Sequence, residues 1–275
     1  MARSGSPRPD PETGSWPVDT GRADLVPDGD GRRGWTLYVN GVPSSHVDLD
    51  DATRLDFEYV RWFADAVDVL APEGAPLGVT HLGGAGCTFA RYVAATRAGS
   101  RQVVLEIDAA VLEVAKRAFA LRSGSRLRLR VADARAGLAD LPDAGEEVVV
   151  RDAFSGSSVP SHLTTLEFLT AVRRVLADGG LYLANLADDP RLALARREAA
   201  TVLASFAHVA LIAEPGQLNG RRYGNVVLAG SDAPLPEAAL VRRLASDAVP
   251  ARLLGTDEVR AFVSGYRPLR DPVTP

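Results

Sequence analysis

A short apolar run, Leu77, Val79 and Leu82, breaks into Gly83-Gly84-Ala85-Gly86, after which Phe89, Tyr92 and Val93 return at helical spacing. That order reads as strand, tight turn and helix. Glycines in the turn permit positive φ and let a ligand lie against the backbone, and the helix start offers unpaired N–H groups, so the turn suits a nucleotide. Glu106 follows Gly86 by twenty residues and ends a second apolar run, Val103-Val104-Leu105. An acidic side chain so placed can accept from both ribose hydroxyls of a nucleoside. A plain βαβ turn with a surface glutamate is the competing reading, and the acidic residues that end later strands weigh against it.

The rest of the chain repeats this alternation. Phe57, Val60, Phe63, Val67 and Leu70 mark an amphipathic helix that Pro72 and Gly74 end. Strand 77–82 leads to helix 87–97, strand 102–106 to helix 109–119, and strand 127–131 to a short helix near 134–140. Val148-Val149-Val150 forms a fourth strand ending at Asp152, followed by a polar loop over 153–161. Helix 164–176 opens with Thr164 and Glu167 at capping-box spacing and closes at Asp178-Gly179-Gly180. After strand 181–186, Asp189-Pro190 starts a helix that runs to about residue 206. Strands near 208–213 and 223–229 suit an antiparallel edge hairpin, and two short helices, about 236–247 and 256–264, finish the chain. The pattern predicts an α/β, doubly wound, Rossmann-like sheet, mostly parallel, with an antiparallel edge hairpin. Upstream, residues 35–39 and 42–49 flank Asn40-Gly41, a strong hairpin signal. Residues 1–30 hold scarcely any large apolar side chain and are expected to form a disordered tail. Three units follow: a tail at 1–30, a β-hairpin unit at 31–52 and a Rossmann-like domain at 53–275.

Composition narrows the function. With 46% hydrophobic residues in 275, the chain can bury a sizeable core, and its net charge of −4 makes nucleic acid a poor first partner. Cys87 stands alone, which excludes an internal disulfide and any multi-cysteine metal site, and it reads as a small residue packed behind the glycine turn. His46, His81, His162 and His208 lack ligand spacing, so no metal is expected. No apolar run reaches membrane-helix length and no signal-peptide pattern opens the chain, so no membrane contact and a cytoplasmic location are expected.

A doubly wound sheet binds its ligands beyond the carboxyl ends of its strands. Those ends carry Gly83, Gly84 and Gly86, then Glu106, then Asp133 with Ala134, then Asp152. Asp133 reads equally as a helix cap and as a ligand group. Asp152, behind three valines and before a long loop, reads as functional.

Assembled, these residues resemble the spermidine synthase family of polyamine aminopropyltransferases, within the larger class of adenosylmethionine-dependent methyltransferase folds. The resemblance runs from about Trp35 to Gly230. Residues 37–42 are similar to the family's N-terminal hairpin, and Leu55-Asp56-Phe57-Glu58-Tyr59 to its acidic and aromatic segment. Residues 81–91 resemble the glycine-rich motif, Val104-Leu105-Glu106-Ile107-Asp108 the ribose-binding strand, Val131-Ala132-Asp133-Ala134 the adenine motif, and Val150-Arg151-Asp152-Ala153 the segment of the catalytic aspartate. The resemblance implies that Glu106 holds the ribose hydroxyls and that Asp133 and Ala134 face the adenine. It further implies that the glycine turn backs the nucleoside, Asp152 orients and deprotonates an amine, and Tyr59 walls the amine channel. The implied co-substrate is decarboxylated adenosylmethionine, or adenosylmethionine itself in a methyltransferase; a catalytically inactive nucleoside-binding homologue is the third alternative. The implied partner is a small-molecule amine, with a homodimer among the open assemblies. The chain departs from the family pattern at Gly86, where an acid stands in the glycine motif, at Ser44, in place of a glutamine, and at Ser155, in place of a second catalytic acid. Nothing matches the tyrosine of the family's C-terminal loop, where Leu218 is nearest.

Overall fold

The computed structural model describes residues 9–272, and its strands fall into two sheets. Four antiparallel strands come first, paired in chain order: β1 (Gly14–Val18), β2 (Gly21–Pro27), β3 (Gly34–Val39) and β4 (Val42–Asp48). The β3–β4 hairpin turns at Asn40 and Gly41, both left-handed, which matches the twist of the flanking strands. Strands β1 and β2 correct the expectation of a disordered tail to residue 30; residues 1–8 of that stretch lie outside the described residues. The segment is poor in apolar side chains because a strand with one buried face needs them only at alternate positions. Ala23 and Leu25 are 0% and 1% exposed and join Trp35, Leu37 and Phe119 in one cluster, while Arg22 points to solvent.

After α1 (Glu58–Leu70), strands and helices alternate: β5 (Gly78–Leu82), α2 (Thr88–Thr96), β6 (Arg101–Glu106), α3 (Ala109–Ala118), β7 (Leu127–Val131), α4 (Ala134–Leu138), β8 (Glu146–Arg151), α5 (Leu166–Val175), β9 (Leu176–Asp188) and α6 (Ala193–Ser205). The chain continues through β10 (His208–Ala213), α7 (Pro215–Leu218), β11 (Gly224–Ser231), α8 (Glu237–Ser246), β12 (Arg252–Leu254) and α9 (Thr256–Phe262). The large sheet runs β12-β10-β11-β9-β8-β5-β6-β7. Strands β5 to β9 pair in parallel, and β11 is antiparallel to both β9 and β10. This is the expected doubly wound α/β sheet with an antiparallel edge, to which β12 adds an outer strand that the sequence pattern did not suggest. Phe168, Val172 and Val202 fill one face of the sheet, and Trp62, Phe63 and Val93 the other. Among the described residues no helix is long and apolar enough to cross a membrane.

Helices α5 and α6 differ from expectation at their ends. The cap of α5 is Thr165, whose hydroxyl accepts from the Phe168 N–H, rather than Thr164, and the helix gives way to β9 at Leu176 before it reaches Asp178-Gly179-Gly180. Asp189 and Pro190 form a turn instead of a helix start: α6 begins at Ala193 after a left-handed Leu192, and Asp188 accepts from the Ala195 N–H at 2.7 Å. In both places a neighbouring side chain supplies the cap that local spacing assigned elsewhere.

Strand order reverses at β5, which has β6 on one side and β8 on the other. Such a reversal opens a crevice beyond the strand ends. The N-terminal sheet packs beside it, through Cys87, Ala90 and Val111. Leu25→Ala should therefore destabilise the protein by about 2–5 kcal/mol. Urea unfolding followed by circular dichroism checks this, and an unchanged midpoint would show that the N-terminal sheet contributes nothing to the fold.

Candidate active site

The crevice is a cleft of about 440 Å³. Of the residues singled out from sequence, Gly83, Gly84, Glu106, Asp133, Ala134, Asp152 and Tyr59 all line it. Glu106 ends β6 and is the hub of that side of the cleft. Its Oε2 accepts from the N–H groups of Gly84 and Ala85 at 2.9 and 3.0 Å, and its Oε1 from the Asp108 N–H at 3.0 Å. A carboxylate offers about four acceptor positions, so one remains for a ligand hydroxyl.

The glycines answer protein contacts. At Gly83, with φ at +94°, a Cβ would lie 2.3 Å from the Asp152 carbonyl oxygen, and at Gly84 it would lie 2.5 Å from Val104 Cγ1. Gly86 is not brought to the cleft. It is buried beneath the turn, its N–H donates to Ser45 Oγ at 2.9 Å, and a side chain there would meet Ser45 Cβ at 2.7 Å. Cys87 is buried next to it, and burial, aided by the Glu106 charge, pushes its thiol up to about 12. Its thiolate is not available as a nucleophile at neutral pH.

Asp133 caps α4, accepting from the Ala136 N–H at 2.9 Å, and its other oxygen pairs with His162 Nε2 at 2.7 Å. Burial raises this carboxyl, but those two partners outweigh it and hold the group below its usual range. Asp133 is thus both a cap and a wall of the cleft. The chain after α9 straps α4 in place: Arg135 grips Asp271 through two bonds of 2.8 and 2.6 Å.

Asp152 follows β8, and its backbone N–H donates to the Leu82 carbonyl at 2.8 Å. Asn185, on the adjacent β9, donates from Nδ2 to Asp152 Oδ1 at 3.1 Å. The buried Tyr59 of α1 hydrogen-bonds the same carboxylate. Burial raises the Asp152 carboxyl, against the opposing pull of Asn185, Tyr59 and Arg151. Burial and the Asp152 charge push the Tyr59 phenol far above its ordinary value, so it remains a donor.

Sequence reading missed several lining residues. Asn185 interrupts the apolar run of β9, a signal that was visible; Glu58, next to Tyr59, reads as a first-turn helix acid; Tyr223 and Asn225 sit before and within β11 with no motif. Tyr223 brings to the cleft an aromatic hydroxyl that the C-terminal loop otherwise lacks. Thr20 reaches the cleft from the β1–β2 turn, donating from N and Oγ1 to Asp108 Oδ2 at 2.8 and 2.6 Å. Ser44 lines the cleft with its hydroxyl donated to the Val42 carbonyl, whereas Ser155 pairs with Ser158 and does not line it.

No family model matches the chain. Over 134 residues, 48% of its length, the chain is 30% identical to a polyamine aminopropyltransferase from Vibrio vulnificus, of which the match spans 44%. The fold superposes with a TM-score of 0.90 on the crystal structure of a probable spermidine synthase from Corynebacterium glutamicum, 38% identical, covering 96% of this chain and 98% of that one. Human methyltransferase-like protein 13, 20% identical, shares the fold with a TM-score of 0.56 over 79% of this chain and 97% of that one.

The three donors on Glu106 make a direct prediction. Glu106→Gln turns one oxygen into an N–H₂ group facing backbone donors, leaving at least one of them unsatisfied, at a cost of about 1–3 kcal/mol. Equilibrium unfolding should show that loss; equal stability of variant and wild type would mean the turn does not depend on Glu106.

Proposed function

The chain belongs to the spermidine synthase family of polyamine aminopropyltransferases, and from that premise we propose that it transfers an aminopropyl group from decarboxylated adenosylmethionine to a small amine. The observation that carries this reading is the charge of the cleft. Glu58, Glu106, Asp108, Asp133 and Asp152 line it, and among the described residues no Arg or Lys does. A sulfonium and an ammonium are cations and are favoured there. The carboxylate of intact adenosylmethionine would find no cationic partner, which disfavours the methyltransferase alternative.

The roles follow from position. Glu106 and the glycine turn hold the ribose, while Asp133, Ala134 and the exposed Ile107 take the adenine end. Asp152 stands at the middle of the cleft. Held by Asn185 and Tyr59, it binds the incoming ammonium and accepts a proton from it, freeing the nitrogen lone pair. That nitrogen attacks the carbon next to sulfur; the C–N bond forms, the C–S bond breaks, and methylthioadenosine leaves as a neutral thioether. Gly86, turned under the turn, does not select the sulfonium.

Asp152→Asn should lower kcat roughly a hundredfold or more while methylthioadenosine still binds within about twofold. Because the folded carboxyl sits above its usual range, the ionised form is lost as pH falls through that raised value. In the wild type kcat/KM should therefore decline on the acid side at a pH above about 4, and the variant's residual rate should lack that limb. A variant as active as the wild type would remove Asp152 from the chemistry.

A further inference from the structure

Beneath the glycine turn the main cleft adjoins a smaller cavity of about 40 Å³, and Tyr59, Gly83, Gly84 and Asp152 border both. A water needs roughly 10–15 Å³ of such space and two to four polar partners, so the cavity has room for one. Its walls are mostly apolar, Phe63, Phe89 and Val150 among them, but one is His81 of β5. The ring is 5% exposed, with Nε2 2.8 Å from Gln102 Oε1. Gln102 spends an amide N–H on the Ala90 carbonyl at 3.0 Å, so its Oε1 faces the ring as an acceptor and the ring proton sits on Nε2. Burial lowers the imidazole to about 4, which leaves it neutral at pH 7. Nδ1 therefore carries a lone pair, and among the described residues it has no hydrogen-bond partner. Packing explains a ring set edge-on to Phe89, with centroids 5.7 Å apart; it does not explain a buried acceptor left without a donor beside a cavity.

The sheet brings His81 and Asp152 to the same cavity. His81 pairs with Val150 across β5 and β8, and Asp152 follows Val150 by two residues, so both side chains leave the sheet on one face. One strand spacing across and two residues along put their Cα atoms roughly 8 Å apart, and the side chains narrow that to the span of a bridging water. Ser45 supplies a third partner: its Oγ accepts from the Gly86 N–H at 2.9 Å and keeps its own proton to donate into the cavity. The other groups that face Asp152 are Tyr59 from α1, Arg151 before it on β8 and the neutral Asn185 from β9. Cys87 borders the cavity as a protonated thiol. The cavity thus offers two acceptors, His81 Nδ1 and the Asp152 carboxylate, and one donor, which is the pattern a single water completes.

Resting on the reading that Asp152 is the base of the transfer, we propose that this cavity holds a water that donates one proton to His81 Nδ1 and the other to Asp152, making His81 a positioning residue for the base. A donor on the carboxylate favours its ionised form, against the burial that raises it, so removing the water's anchor raises the Asp152 midpoint further. Carbon NMR of protein labelled at its aspartate carboxyls, titrated without substrate, reads that midpoint, with Asp152→Asn identifying the signal. His81→Leu should move it up by about one pH unit, and His81→Asn, which keeps an acceptor where Nδ1 stood, should restore most of the shift. The acid limb of kcat/KM should move with it, while methylthioadenosine binds within about twofold of wild type. Equal midpoints in wild type and a folded His81→Leu, or the same shift in both variants, would overturn the assignment of His81. So would a high-resolution crystal structure of the wild type with no water between the ring and the carboxylate, a result that needs no variant to fold. A midpoint that moves in His81→Leu, in a protein whose wild type transfers nothing, would overturn the transferase reading and leave the water site standing.

Discussion

One carboxylate ties the two sides of the cleft's β5–β6 end together. Glu106 belongs to β6, yet its oxygens take N–H groups from the turn after β5 and from the residue that caps α3. Around it the strand ends interlock: the Gly83 N–H donates to the Leu105 carbonyl at 2.9 Å, and the Asp152 N–H to the Leu82 carbonyl at 2.8 Å. Neither glycine can be replaced, since Asp152 and Val104 occupy the space a side chain would need. The turn, Glu106 and the loop that bears Asp152 are therefore one rigid unit, and the N-terminal sheet joins it through Thr20 on Asp108.

Behind this unit lies a buried ion pair. Arg151 is 0% and Glu198 3% exposed, with Nη2 and Oε2 2.6 Å apart. Such a pair adds little net stability over an apolar substitute, because desolvation offsets the attraction, yet breaking it leaves a buried charge. Its geometry bears on the site: the same Nη2 donates to the Asn185 carbonyl at 3.1 Å, and Asn185 in turn holds Asp152. The pair fixes the backbone from which Asp152 is oriented.

Much of this is legible in the sequence alone. The parallel alternation, the glycine turn, Glu106 and Asp152 show in the sequence because each follows a local rule: period, spacing or strand end. The rest depends on partners far along the chain. Leu25 and Ala23 look too few to order a segment until Trp35 and Leu37 cover them. Thr165 and Asp188 cap helices that the spacing assigned to Thr164 and Asp189. Gly86 occupies a motif position but faces Ser45, and Glu58 finds its partner in Asn225, 167 residues away.

The central claim is that this cleft receives cations and moves a three-carbon amine. The most direct measurement offers the protein equal amounts of intact and decarboxylated adenosylmethionine with diaminobutane and identifies the products by mass spectrometry. The account predicts methylthioadenosine and an aminopropylated diamine. Adenosylhomocysteine with a methylated amine, or no product at all, would contradict it.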